Sequence, residues 1–248
     1  MTEARPPGRA GTRHLPAAAD RPPDPFGPPV LIVIAKEPLP GRVKTRLTPP
    51  YAPQEAARLA AAALADTLDA VATASRTLGI RPLVVLDGHP GPWLPREFAV
   101  RAQADGPFDA RLAAAFDAVR GQPALLVGMD TPQISPAGLL QAAAHLRRDT
   151  DAALGRAQDG GWWALGLGAA DGDLVRGVPT SRPDTGARQH ARLREAGLRV
   201  ADLPVLRDVD TAADIAPVAT LAPHSRFATV AADLGSWSAN PAGAQETT

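Results

Sequence analysis

Apolar and polar positions alternate along this chain in two rhythms. Six consecutive apolar residues, Val30 to Ala35, read as a buried strand. Shorter apolar runs recur at Leu83–Leu86, Ala124–Val127, Ala152–Gly155, Trp162–Leu167 and Leu198–Leu203, with a weaker strand candidate at Phe98–Ala102. Helical spacing fills the intervals. Pro53–Leu78 places Leu64, Leu68, Val71 and Leu78 on one face and stops at Gly79. Phe108–Val119 repeats the pattern with Leu112, Phe116 and Val119. Ser135-Pro136 is an N-cap and first-turn pair for a helix running to about Arg147. A further helix spans roughly Asp184–Ala196, and Asp208-Val209-Asp210-Thr211 begins a last helical turn. Strands alternating with helices at these lengths predict an α/β domain with a mostly parallel central sheet and crossover helices.

The ends of the chain break this rhythm. Residues 1–29 hold eight Pro with no sustained period and read as a Pro-rich tail. The domain is expected over 30–219, and 220–248 reads as a loosely ordered C-terminal tail.

Composition removes several classes of function. Lys+Arg and Asp+Glu stand at 26 each, so no global field favours nucleic acid or an acidic membrane surface. Cysteine is absent, which excludes disulfides, thiolate chemistry and Cys-based metal centres. No apolar run approaches the roughly 18–20 residues of a membrane span, and the first 29 residues lack the apolar core of a secretory signal. A cytoplasmic protein is the expectation. The five His show no i,i+4 pair, which argues against a zinc centre, and no G-x-S-x-G elbow supports a hydrolase.

Lysine usage points to the chemistry. The chain has 24 Arg but only two Lys, Lys36 and Lys44, both in the basic loop that leaves the first strand. Lys36, Arg42, Lys44 and Arg46 can meet successive phosphates, Lys as point charges and Arg as forks, while Gly41 lets backbone approach closely. A fortuitously basic surface loop is the plain alternative. The loop matches neither G-x-G-x-x-G nor G-x-x-x-x-G-K-[ST]. In a parallel sheet, ligand groups gather beyond the carboxyl ends of the strands. Asp130 falls there, as a carboxylate suited to Mg²⁺ or, structurally, to capping turn amides. Asp208 and Asp210 offer a second carboxylate, although Asp210 would equally serve as an N-cap. Asp159-Gly160-Gly161 is a tight turn whose glycines leave room for an acceptor or sugar, with Asp159 bonding hydroxyls or orienting a base. Of Trp162 and Trp163, alternating in a strand, one is expected in the core and the other at the pocket. Asp105-Gly106 with Arg111 forms either a second ligand-lining turn or a solvated one.

The run Ala35-Lys36-Glu37-Pro38-Leu39-Pro40-Gly41-Arg42-Val43-Lys44-Thr45-Arg46-Leu47 resembles the opening signature of the bacterial DUF2064 family. Its members look like glycosyltransferase-A (GT-A), or nucleotide-diphospho-sugar transferase, folds. The resemblance continues through Asp105–Leu112, Gly128–Pro132, Asp159–Trp163 and Asp208–Thr211, covering about residues 30–215. Two departures fall on the acceptor side: Pro107 and Ala110 replace the family's usual residues, and Thr180 stands where Trp is common.

The resemblance implies a single GT-A-like (Rossmann-like) three-layer domain binding a nucleotide, with Mg²⁺ or Mn²⁺ between the phosphates and Asp130 and Asp210. Two reactions remain open, nucleotidyl transfer from a nucleoside triphosphate and glycosyl transfer from a nucleotide-sugar. A catalytically degenerate nucleotide- or partner-binding protein is a third reading. Four loop cations favour the first, since a pyrophosphate leaving group needs donors already in place. Lys44, Asp130 and Asp159 are then the expected catalytic groups. Lys36, Gly41, Arg42, Lys44, Arg46, Gly106 and Arg111 are the expected nucleotide and acceptor contacts, toward a small-molecule acceptor. Oligomeric state is not legible.

Overall fold

The computed structural model describes residues 27–146 and 151–238; the Pro-rich tail expected at 1–29 lies, up to residue 26, outside them. Among the described residues seven strands and six helices follow in the order β1 (Val30–Lys36), α1 (Pro53–Leu78), β2 (Leu83–Asp87), β3 (Ala99–Ala102), α2 (Phe108–Asp117), β4 (Ala124–Val127), α3 (Pro136–His145), β5 (Ala152–Ala157), β6 (Trp162–Leu167), α4 (Thr185–Glu195), β7 (Val200–Leu206), α5 (Ala212–Leu221) and α6 (Arg226–Ser238). Single 3-10 turns stand at Thr45–Leu47 and Gly172–Leu174.

The strands form one sheet in the order β3-β2-β1-β4-β6-β5-β7. β1 pairs in parallel with β2 and β4, β2 with β3, and β5 with β7, while β6 runs antiparallel to both its neighbours. Six strands therefore run one way and β6 alone runs the other. Because β6 is antiparallel, the β5–β6 turn lands at the same sheet end as the carboxyl termini of β1, β4 and β7. The expected parallel sheet thus holds, and the one reversed strand adds Asp159 to the ligand end.

Both sheet faces are covered, which is why β1 and β4 read as unbroken apolar runs. On one face Leu31, Val33, Leu125 and Val127 pack with Leu64, Leu68 and Val71 of α1 and Leu139 of α3. On the other, Ile32, Ile34, Leu126, Leu154 and Leu165 meet Leu112 and Phe116 of α2 and Leu193 of α4. Local signals set the helix ends. Gly79, at φ 68°, caps α1 with its N–H on Arg76, and Ser135 accepts from Gly138 N–H to start α3.

The expectation of a loosely ordered segment from residue 220 fails for 220–238. Phe227 and Leu234 of α6 are buried against Leu59 and Ala63 of α1. Ser225 caps α6 by accepting from Ala228 N–H at 2.9 Å. Asp66 of α1 accepts from the Arg226 and Phe227 amides at 3.0 and 2.9 Å. The stripe Phe227, Val230, Ala231, Leu234 has the helical i, i+3, i+4, i+7 spacing and supplies the burial that stabilises α6.

Candidate functional site

The cleft begins where β1 ends. After Lys36 the chain turns through Gly41, at φ 75°, into the 3-10 turn. Lys44 precedes that turn in the left-handed region, at φ 48° and ψ 40°, a conformation that a non-glycine residue holds only when its surroundings impose it. This backbone turns its side chain inward, where it is 12% exposed and Nζ lies 2.7 Å from Asp130 Oδ2.

Asp130 follows β4, beside β1. Backbone pairing brings the second acidic segment to it, for Val209 N–H donates to Asp130 O at 3.0 Å. Asp214 fixes that segment further. Its Oδ2 accepts from the Asp210 and Thr211 amides at 3.1 and 2.7 Å, and Arg207 Nε donates to its Oδ1 at 2.9 Å. Arg46 reaches Asp210 at 2.5 Å. On the β2 side, Asp87 collects three cations: Arg111 at 3.1 Å and Lys36 and Arg42 at 3.5 Å each.

These groups line two adjoining cavities. The larger, about 340 Å³, runs from Ile34 and Gln103 past Met129 to Trp162, with Asp130, Asp159, Asp208 and Asp210 along one wall. The smaller, about 240 Å³, lies under the basic loop between Lys36, Arg42, Lys44 and Arg46. Lys36, Arg46, Met129, Asp130 and Asp210 belong to both.

Of the residues expected at the site, Lys36, Arg46, Arg111, Asp130, Asp159 and Asp210 line the larger cavity, and Arg42 and Lys44 line the smaller. Gly41 and Gly106 line neither. Both are turn-makers at positive φ, and the Gly106 carbonyl accepts from Arg111 Nε at 2.9 Å, orienting that guanidinium. The glycines of the Asp159 turn also differ from expectation. A Cβ on Gly160 would lie 1.8 Å from the Pro183 carbonyl oxygen, so its smallness admits the protein's own backbone. Gly161 N–H donates to Asp159 Oδ1 at 2.7 Å. The tryptophans divide as expected: Trp163 is buried and donates to Pro204 O at 3.0 Å, and Trp162 lines the cleft. Thr180, at the departure from the family pattern, lines the cleft beside Ser181, whose φ is 57°.

Asp87, Gln103 and Asp214 are the site residues that sequence reasoning missed. Asp87 ends β2 and Gln103 follows β3, strand-end positions like the one that singled out Asp130. The T-x-x-D spacing of Thr211 and Asp214 is a capping-box signal.

Asp208 is electrostatically the odd member. It is half-buried and makes no salt bridge among the described residues. Burial, then the neighbouring Asp130 and Asp159 charges, push its pKa up to about 6. Among the described residues no three acidic or histidine groups already form a metal cage. Mg²⁺ characteristically takes one or two carboxylates and completes its shell with phosphates and water. Oxygen donors at Asp130 and Asp208 fit that demand. Asp210, the carboxylate expected beside Asp130, lines the same cavity and has one oxygen engaged by Arg46, as Asp130 has one engaged by Lys44.

This is a three-layer α/β fold of the GT-A-like class. A solved protein from Desulfovibrio desulfuricans G20, provisionally described as a nucleotide-diphospho-sugar transferase, superposes with a TM-score of 0.72 at 25% identity, over 86% of this chain and 96% of its own. The chain belongs to the bacterial family DUF2064, described as "Uncharacterized protein conserved in bacteria", whose model matches residues 56–182. More distant structural matches include CMP:2-keto-3-deoxy-manno-octonic acid synthetase complexed with CTP (TM-score 0.48, 15% identity, 79% and 99% coverage) and Rv0371c from Mycobacterium tuberculosis H37Rv (0.47, 21%, 77% and 97%). No curated protein matches the chain. No helix among the described residues is long and apolar enough to cross a membrane.

Proposed function

We propose that this protein is a metal-dependent nucleotidyltransferase-like enzyme. It would join a nucleoside monophosphate, from a nucleoside triphosphate, to a small phosphate- or phosphonate-bearing acceptor. The observation that carries this reading is the smaller cavity, walled by Lys36, Arg42, Lys44 and Arg46 and opening into the larger cleft at Asp130. In the reaction an acceptor oxygen attacks the α-phosphorus, the α–β P–O bond breaks, and pyrophosphate leaves with the electron pair. Lys36, Arg42 and Lys44 stabilise the triphosphate and the charge developing on its leaving group. Asp130 and Asp210, with Asp208 beside them, would hold Mg²⁺ or Mn²⁺, which supplies Lewis-acid polarisation of phosphate oxygens. Arg111 and Asp159 bind or orient the acceptor. An ionised acceptor needs no strong general base, which agrees with Asp159 using one oxygen to close its own turn.

The description of the Desulfovibrio protein favours a second reading, glycosyl transfer from a nucleotide-sugar. Calorimetric titration with nucleoside triphosphates and nucleotide-sugars, each with Mg²⁺ or Mn²⁺, separates the two. Preferred triphosphate binding, followed by pyrophosphate release with a phosphate-bearing acceptor, supports nucleotidyl transfer. Nucleotide-sugar preference with nucleoside diphosphate release replaces it. Metal–nucleotide binding without product across an acceptor panel would identify a degenerate binding protein.

A further inference from the structure

The inner end of the larger cavity is built unlike its charged middle. Ile34 and Ala35 close β1, Leu112 and Phe108 come from α2, and Gln103 follows β3. Phe108 is 46% exposed although it is a large aromatic residue on the cleft wall. An exposed ring beside an apolar floor is a stacking surface for a planar group.

Gln103 supplies the polar feature. Its Nε2 donates to Ala35 O at 2.7 Å and to Val85 O at 3.3 Å, so the side chain reaches across the end of β2 to β1. Both partners are carbonyl oxygens, which accept and cannot donate. The amide therefore has one chemically sensible orientation, nitrogen toward the strands, and a flipped amide would set oxygen against oxygen. Both N–H groups are used, and Oε1 accepts nothing from the described residues. It is not among the enclosed, unpartnered polar atoms of the described residues. The amide's open group at this cavity wall is a fixed acceptor. Arg111 stands alongside, held by Gly106 O through Nε and by Asp87 through Nη1.

We propose that Gln103 is a specificity-determining residue that reads the hydrogen-bond-donor edge of the nucleobase, while Phe108 stacks on its face. The site thereby requires an unsubstituted base N–H toward Oε1 and rejects a base blocked at that nitrogen. This rests on the nucleotide-binding reading above and goes beyond it by assigning the base subsite and the chemistry it demands. The anchoring is what makes Oε1 a reader. A freely rotating amide would offer donor or acceptor indifferently, whereas this one cannot turn without losing two strand-end hydrogen bonds.

The test is calorimetry of the full-length protein with ATP, CTP, GTP and UTP, each with Mg²⁺. The best-bound nucleotide is then compared with its analogue methylated at the donor nitrogen: N3-methyl-UTP, N1-methyl-GTP, N4,N4-dimethyl-CTP or N6,N6-dimethyl-ATP. Wild type is expected to lose about 10–100-fold in affinity on methylation, the scale of one polar group in a pocket built to receive it. In Gln103→Leu the unmethylated nucleotide falls by a similar factor, and methylation then changes affinity less than about threefold, since the coupled interaction is already gone. Equal methylation penalties in both proteins would overturn the assignment to Gln103. Wild-type binding that is tight but indifferent to base and methylation would overturn the base subsite while leaving the nucleotide reading intact. No binding of any nucleotide would remove both. If Gln103→Leu does not fold, Gln103→Met, close in shape and without the amide oxygen, carries the same comparison, and an undiminished methylation penalty there overturns the assignment.

Discussion

The two ends of the central sheet are both crowded with charge, and they use it in opposite ways. At the amino-terminal end of β4, Asp117 accepts from Gly172 N–H at 3.0 Å, from Arg176 at 3.0 Å and from Arg120 at 2.7 Å, and Arg120 also meets Asp171 at 2.8 Å. Its cations are all Arg, the geometry is closed, and the cluster ties α2 to the 3-10 turn at Gly172–Leu174. At the carboxyl end the chain places both of its lysines, strains the backbone at one of them and leaves Asp208 half-buried with no salt bridge among the described residues. One cluster completes the fold. The other pairs its loop cations with Asp87, Asp130 and Asp210 around two cavities, and it is the cluster for which we propose a ligand.

The largest effect expected on this contrast comes from Lys44→Ala. Loss of a charge-assisted contact at the phosphate cradle should weaken triphosphate binding by about 100-fold, read by calorimetry, with the far-ultraviolet circular dichroism spectrum retained. Unchanged affinity would show that the basic loop is only a surface feature.

Asp208 gives the next effect, and its sign is opposite to that of an ordinary ion-paired carboxylate. Its pKa is raised in the folded protein, to about 6 from the ordinary aspartate value of about 4, so the folded state holds the proton more tightly. Stability of the metal-free protein should fall as pH rises from about 4 to about 6, by on the order of 2 kcal/mol. Asp208→Asn should remove that fall and stabilise the metal-free protein at pH 8, as thermal unfolding across pH would show. A variant less stable than wild type at pH 8 would contradict the picture of an uncompensated charge.

At the opposite end of the sheet, Asp117→Ala should cost about 1.5–3 kcal/mol in denaturant unfolding, the scale for hydrogen bonds to a charged group. Nucleotide affinity should stay within about twofold of wild type, because additivity holds for well-separated sites. Weakened binding would mean that the two ends are coupled. The smallest effect belongs to the exposed Arg156–Asp202 pair at 3.1 Å. Arg156→Ala should shift stability by less than about 0.5 kcal/mol, setting the baseline for a charge that does neither task.

The sequence shows one end of this molecule better than the other. α1, β4 and β6 lie where their apolar periods put them, and Lys44 and Asp130 stand out because an unusual residue type follows a buried strand. Asp87 was hidden for a physical reason. Its three cations come from positions 36, 42 and 111, and only the sheet order places β2 beside β1 and close to α2. Asp208 and Asp210 are alike in sequence, and what distinguishes them is Arg46, 164 positions away from Asp210. Helix α6 was legible in its spacing but obscured by the Pro and Ala around it. Long-range partners, more than local pattern, decide what each acidic residue does.

The scarcity of lysine gives the protein a built-in chemical reporter. Apart from the terminal amine, the only primary amines in the chain are those of Lys36, 41% exposed, and Lys44, 12% exposed. An acylating reagent at mildly alkaline pH should mark Lys36 first and Lys44 slowly, and intact-mass spectra would resolve each addition without digestion. A molecule that fills the cradle would protect both, so occupancy can be followed by mass alone, without an activity assay.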